Sequence, residues 1–198
     1  MSNEVEAKLP VDSFDPLRDA LKSAEAAFLG RVLQTDTYYD TPENEMAGSD
    51  RGLRIRRLEL LEPGRDDWDL RPQLTYKGPR DTKAEFKTRR EVETHFEDAS
   101  VLDEVLGVCG MRASMVIQKR RSSYRMNDCK IELDELPFIG RFVEIEGPDE
   151  KSIQSVLDAL GLEGQPIHDS YLLMADAACR RRGLQSGKIT FQAESQQG

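Results

Sequence analysis

Histidine is almost missing from this chain and cysteine is scarce, with two His and three Cys among 198 residues. Cys109, Cys129 and Cys179 are odd in number, widely spaced and in no CxxC pair, so neither a disulfide framework nor a zinc site is indicated. They read as free thiols in a reducing cytoplasm. His95 and His168 have no close Cys or His in the sequence and do not suggest a metal either. Long apolar runs are lacking too: no window approaches the ~18 residues of a membrane span, and MSNEVEAKLP is acidic where a secretion signal needs a basic start. The expectation is a cytoplasmic protein without a membrane partner. Surplus positive charge is also absent, with 28 Lys and Arg against 37 Asp and Glu and a net charge of -9. That excludes a general nucleic-acid binder, whose affinity rests on counterion release by cations. An anionic ligand has to be met by a local basic cluster or by a metal.

Charge itself is abundant, at 33% of residues against 38% hydrophobic. Segments alternating apolar and polar residues with period two predict strands near 3–9, 32–40, 51–60, 71–78, 86–96, 114–125, 129–136 and 141–147. Helical spacing predicts helices at 14–28, 100–109, 150–160 and 170–182. Asp12 or Ser13 is the expected cap of the first helix and Ser100 that of the second. Stretches rich in Gly, Pro, Asp and Arg at 42–50, 62–72 and 78–83 read as connections. Strands dominate, so the fold class is α+β. No linker divides the chain: residues 1–182 form one domain, and the polar 183–198 is expected to be a loose tail.

Residues i and i+2 of a strand share a face, so charged pairs at that spacing mark a polar stripe. Such pairs recur at Glu4, Glu6 and Lys8; at Arg54 and Arg56; at Thr75 and Lys77; at Arg89, Glu91 and Glu93; at Lys119 and Arg121; at Glu132 and Asp134; and at Glu144 and Glu146. Any one pair is more simply the solvent face of an antiparallel sheet. Taken together the charged faces turn to one common side, while Val5, Ile55, Ile131, Leu133, Val143 and Ile145 pack under helices. If such a sheet curls shut, that side becomes a lumen whose two signs of charge need a matching ligand. Guanidinium and ammonium groups suit a polyphosphate, and hard carboxylates suit Mg²⁺ or Mn²⁺ bridging to it.

The ordered segments EVEAK at 4–8, DTYYDTP at 36–42, LRIRR at 53–57, LTYKGP at 74–79, RREVET at 89–94, KRRSSY at 119–124, IELDELPFIGRFVEIEG at 131–147 and SYLLM at 170–174 resemble the CYTH superfamily of triphosphate tunnel enzymes. That family includes class IV adenylyl cyclases and thiamine triphosphatases. The resemblance implies a closed eight-stranded antiparallel β-barrel with helices packed outside. It implies Glu4, Glu6, Glu144 and Glu146 as leading metal ligands, and Lys8, Arg54, Arg56, Lys77, Lys119 and Arg121 on the phosphates of ATP or of an inorganic or organic triphosphate. Lys119 and Tyr38 form the catalytic pair it suggests. KGP at 77–79, IGRFVEIE and the SY pair at 170–171 resemble the cyclase branch more than the thiamine branch, so cyclisation of ATP is the leading reading. Hydrolysis of a triphosphate is the alternative, and a non-catalytic polyphosphate-binding module the second. PFIG at 137–140 departs from the GLG-like turn more frequent in the family. Homodimers occur among similar proteins.

Overall fold

The computed structural model describes residues 5–66, 68–80, 89–183 and 187–196, and of Arg80 and Arg89 the backbone alone. The elements in chain order are β1 (Val5–Val11), α1 (Asp15–Ser23), β2 (Ala27–Asp40), α2 (Glu45–Gly48), β3 (Gly52–Pro63), β4 (Gln73–Arg80), β5 (Arg89–His95), α3 (Ala99–Val108), β6 (Arg112–Met126), β7 (Cys129–Leu136), β8 (Gly140–Gly147), α4 (Glu150–Ala159), α5 (Tyr171–Arg182), β9 (Lys188–Ile189) and α6 (Phe191–Ser195). The protein is α+β, as the alternation predicts. Eight strands pair antiparallel along the path β1-β8-β7-β6-β2-β3-β4-β5, and β9 adds to β6 in parallel. Among the described residues β1 and β5 are the ends of this path and do not pair with each other. The expected hydrogen-bonded closure of the barrel is therefore not part of the sheet as described.

Period-two alternation places the apolar set on the outer face. Leu9, Ile131, Leu133, Val143 and Ile145 pack with Leu17 and Leu21 of α1 and with Ile153, Val156 and Leu157 of α4. Each such side chain, fully buried, contributes about 1.5–3 kcal/mol. A second outer cluster joins Tyr39 and Ile55 to Leu102 and Leu106 of α3. Helix α5 differs from these. It packs on Met115, Ile117, Leu136 and Phe142, which share strand parity with the charged residues, and so it covers one end of the inner face.

Several local expectations shift. The first helix ends at Ser23, and Phe28 belongs to β2. Phe14 is its N-cap, without a side-chain cap bond; Ser13 Oγ instead accepts from the Asp15 amide at 3.2 Å. For α3 the cap is Asp98 rather than Ser100, because its carboxylate accepts from the amides of Ser100 and Val101. Trp68 covers an edge of the fold, its Nε1 donating to the Leu29 carbonyl at 3.0 Å.

Within the segment expected to be a loose tail, β9 and α6 hold Ile189 fully buried. Gly187 introduces β9 at φ +57, and a Cβ there would lie 2.8 Å from the Ser114 carbonyl oxygen. Gly187→Ala should therefore lower stability by about 1–2 kcal/mol through left-handed strain and displacement of β9. Urea unfolding checks this, and an unchanged midpoint would show that β9 contributes nothing.

Candidate active site

Strand register decides what meets on the inner face. Lys8 of β1 lies opposite Glu144 of β8, Glu6 opposite Glu146, and Glu144 also opposite Glu132 of β7. Arg121 of β6 faces Asp134, and Asp36 of β2 faces Arg56 of β3. Thr75 and Lys77 of β4 face Glu93 and Glu91 of β5. Lys8, Arg54, Lys119 and Arg121 are only 4%, 6%, 5% and 8% exposed. Four cations sequestered to that degree need carboxylates beside them.

They have them. Arg121 donates to both Asp134 oxygens, at 2.6 and 2.5 Å, and to Glu144 at 2.6 Å, and it also contacts Glu132. Lys119 lies 3.1 Å from Asp134. Arg56 grips Asp36 through two bonds of 2.8 and 3.0 Å, and Arg54 reaches the same carboxylate at 3.5 Å. Lys8 donates to the Asp169 carbonyl at 2.8 Å and lies 3.5 Å from Glu144. The Tyr171 ring, carried by α5, receives the Lys8 ammonium at 4.3 Å and that of Lys119 at 4.8 Å.

Sequence reasoning placed Glu6, Lys8, Arg54, Arg56, Lys77, Lys119, Arg121, Glu132, Asp134, Glu144 and Glu146 on one face, and the strand parity agrees; Tyr38, which only the family resemblance named, shares the parity of Asp36. Lys77 and Glu91 form an ion pair of 2.6 Å, and Glu93 accepts from Thr75 at 3.0 Å. Glu91 and Glu93 thus stand at the β5 end of the path, whereas Glu6, Glu144 and Glu146 stand at the β1 end. The acids of the charged faces, Glu4, Glu6, Glu91, Glu93, Glu132, Asp134, Glu144 and Glu146, all read from the sequence as candidate metal ligands, are therefore not one cluster along the sheet. Glu4 and the Arg89 side chain lie outside the described residues, and among those residues no group of three or more His, Cys, Asp or Glu is close enough to hold a metal ion. Three contributors went unassigned: Gln34, which donates to Asp36 at 3.1 Å, Asp36 itself, and Tyr171. Asp36 and Tyr171 sit in segments whose order carries the family resemblance, and that was their only signal.

Burial tends to raise the pKa of Asp36, but Arg56 and Arg54 outweigh it and hold the carboxyl far below its ordinary value of 3.8. Arg121 and Lys119 do the same for Asp134, and Arg121 and Lys130 for Glu132, in each case against burial. Burial, reinforced by Arg121, lowers the pKa of Lys119, while burial and Asp36 raise that of Tyr38. For carboxylates with depressed folded-state values, the stability gained is present above the unfolded value and lost as pH falls through the folded one. Urea unfolding at stepped pH should show the contribution of Asp36 and Asp134 intact down to about 3.8 and that of Glu132 down to about 4.5, with a decline below each. A contribution already gone at 3.8 would contradict the pairing.

The buried side-chain atoms that lack a hydrogen-bond partner among the described residues are Arg54 Nε, Ser123 Oγ, both Glu132 carboxylate oxygens and the Tyr171 hydroxyl. For Glu132 the contacts with Arg121 and Lys130 are ion pairs in distance without hydrogen-bond geometry. Every one of these atoms belongs to the inner face or to the helix covering its end. Buried polar groups are normally satisfied, so unmet donors and acceptors gathered on one face point to a ligand with both acceptor and cationic character.

A provisionally named adenylate cyclase of Methanocaldococcus jannaschii is 29% identical over 77% of this chain and 79% of its own. Adenylate cyclase CyaB of Aeromonas hydrophila is 29% identical over 72% of this chain and 67% of its own. The structure of a Hippeastrum protein, provisionally called an adenylyl cyclase and described as having a dominant triphosphatase activity, superposes with a TM-score of 0.64 at 19% identity, covering 92% of this chain and 96% of that one. A family model described as the CYTH domain matches residues 2–163, most of the chain, and the protein belongs to that family.

Proposed function

We propose that the inner face binds the triphosphate of ATP together with a divalent cation and catalyses its conversion to cyclic AMP and pyrophosphate. The observation that carries this reading is the set of polar atoms on that face without a hydrogen-bond partner among the described residues: a guanidinium nitrogen and two hydroxyls to meet phosphate oxygens, and the Glu132 carboxylate, ion-paired to Arg121 and Lys130, to turn to a metal cation once phosphate takes Arg121. Closure of the sheet between β1 and β5 into a tunnel belongs to the same proposal.

Binding works by exchange. Arg54, Arg56, Arg121, Lys8 and Lys119 are paired with Asp36, Glu132, Asp134 and Glu144, and an entering triphosphate competes for the same forks. Carboxylates released from those pairs need a new positive partner, which is the physical reason for a metal requirement. Glu6, Glu132, Glu144 and Glu146, with Glu4, would hold Mg²⁺ or Mn²⁺; hard carboxylate oxygens fit either ion. The bound ion would neutralise charge on the phosphate oxygens.

In the reaction, the ribose 3′-oxygen bonds to the α-phosphorus as the bond from that phosphorus to the bridging oxygen breaks and pyrophosphate leaves. Lys119, its proton affinity reduced by burial and by Arg121, receives the hydroxyl proton at Nζ, and the Tyr38 hydroxyl orients the same region beside Arg54. The Tyr171 ring lies against Nζ of both Lys8 and Lys119 and so fixes where that base stands once Lys119 is neutral.

The same machinery hydrolyses a triphosphate if water replaces the 3′-hydroxyl. The triphosphatase activity attributed to the Hippeastrum protein favours keeping that second reading. Incubation of the purified protein with ATP, and separately with inorganic triphosphate, plus Mg²⁺ or Mn²⁺ separates them by product. Cyclic AMP with pyrophosphate supports the cyclase, and orthophosphate release replaces it with the triphosphatase. Tight binding without product would leave a binding module and refute both.

A further inference from the structure

On the opposite, outer face of the same strands lies a hollow of about 350 Å³ with a different character. Arg18 of α1, Arg31 of β2, Arg120 of β6 and Arg141 of β8 line it, and the acids lining it are Asp15 and Glu135. The lining carries four guanidiniums against two carboxylates in a chain whose net charge is -9. Register builds the arrangement. Arg120 faces Glu135 across β6 and β7, and Glu135 faces Arg141 across β7 and β8, so the three form a row at 3.3 and 3.4 Å, while Arg31 faces Ser122.

Each arginine but one is anchored by the protein. Arg120 stacks on the Phe191 ring at 3.8 Å, Arg141 donates to the Asp12 carbonyl at 3.2 Å, and Arg18 reaches Asp15 at 3.4 Å. Arg31 makes no ion pair among the described residues, although Glu62 of β3 lies opposite it in the register. Phe14 and Leu133, both buried, also line the hollow.

Solvated surface arginines splay apart, because like charges repel. Here four of them converge from four elements onto one concavity, beside the hydroxyls of Ser13 and Ser122. We infer that this outer hollow is a second anion site, which takes a small molecule bearing a phosphate-monoester dianion. Guanidinium forks match phosphate oxygens in pairs, the four guanidiniums outnumber the two carboxylates lining the hollow, and the volume is that of a small-ligand pocket. The site is separate from the triphosphate face: Arg120 alternates along β6 with Lys119 and Arg121, which point the other way.

The test is a metal-free titration of the full chain with inorganic phosphate at neutral pH and constant ionic strength, following arginine Nε–Hε resonances by NMR, with perchlorate as control. Saturable shifts of Arg31, Arg120 and Arg141, weakened about tenfold or more in Arg31→Gln while the Arg54 and Arg56 responses stay unchanged, are expected. Arg31→Gln breaks no ion pair of the described residues, so an unaltered melting temperature accompanies the loss. Shifts that match the perchlorate control, an unchanged affinity in Arg31→Gln, or responses confined to Arg54 and Arg56 would each overturn the proposal.

Discussion

Arg121→Ala should lower the melting temperature by about 10 °C and abolish detectable triphosphate binding. The guanidinium is in contact with three buried carboxylates, Glu132, Asp134 and Glu144. Removing it leaves negative charges that are already shielded from water, and breaking a buried network on one side costs about 3–5 kcal/mol. The acids also repel one another, as the upward push of Asp134 on Glu132 shows. A sharper expectation follows from the proposed metal chemistry. Mg²⁺ should restore a measurable part of the lost stability in Arg121→Ala and add much less to the parent, where the guanidinium already occupies those oxygens. Differential scanning calorimetry with and without Mg²⁺ reads both effects. A loss below about 1 kcal/mol would mean that water reaches the three carboxylates freely, and the inner face would then not be the sequestered site argued above.

Lys119→Gln is the second large effect, and it falls on turnover rather than on folding. Removing a positioned proton acceptor slows a reaction by about 10²–10⁴-fold, while one lost phosphate contact weakens binding far less. The two are separated by measuring product formation under saturating substrate and, independently, substrate affinity by calorimetry. The pH profile carries a further sign. A lysine acting as base must be neutral, and burial with Arg121 lowers its pKa. The parent's rate should therefore rise with pH through a value below the ordinary 10.5, and that limb should vanish in Lys119→Gln. Turnover within a factor of about three of the parent, or an unchanged limb, would remove Lys119 from the proton's path.

The sheet was readable wherever alternation was clean. In β7 and β8, Ile131, Leu133, Val143 and Ile145 alternate with Glu132, Asp134, Glu144 and Glu146, and the predicted limits of 129–136 and 141–147 match the strands to within a residue. Strand β2 blurs the pattern, because Thr35 and Thr37 occupy the face where apolar residues are expected. Asp36 therefore looked like part of a motif instead of the acid that neutralises Arg54 and Arg56. Tyr171 was invisible for another reason: it comes from a helix far along the chain, and no strand periodicity could bring it to Lys8 and Lys119. The tail misled through composition. Among its few apolar residues is Ile189, which β9 inserts beside Ile117. The outer arginine hollow was equally hidden, since Arg31, Arg120 and Arg141 become neighbours only through register.

That register sets how this lineage of sequences is free to drift. Leu29 of β2 and Ser114 of β6 are already extra residues at the two ends of the β2–β6 ladder, where the pairing steps from Phe28 to Gly30 and from Met115 to Ala113. Between those steps the ladder runs unbroken past Lys119 and Arg121. A single insertion inside that stretch would turn Arg120 toward the triphosphate face and drive two cations against the Leu133 and Val143 layer. Substitution there is graded in its effect, whereas a change of length is all or nothing, so length variation is expected to accumulate in the turns and to spare the middle of the strands.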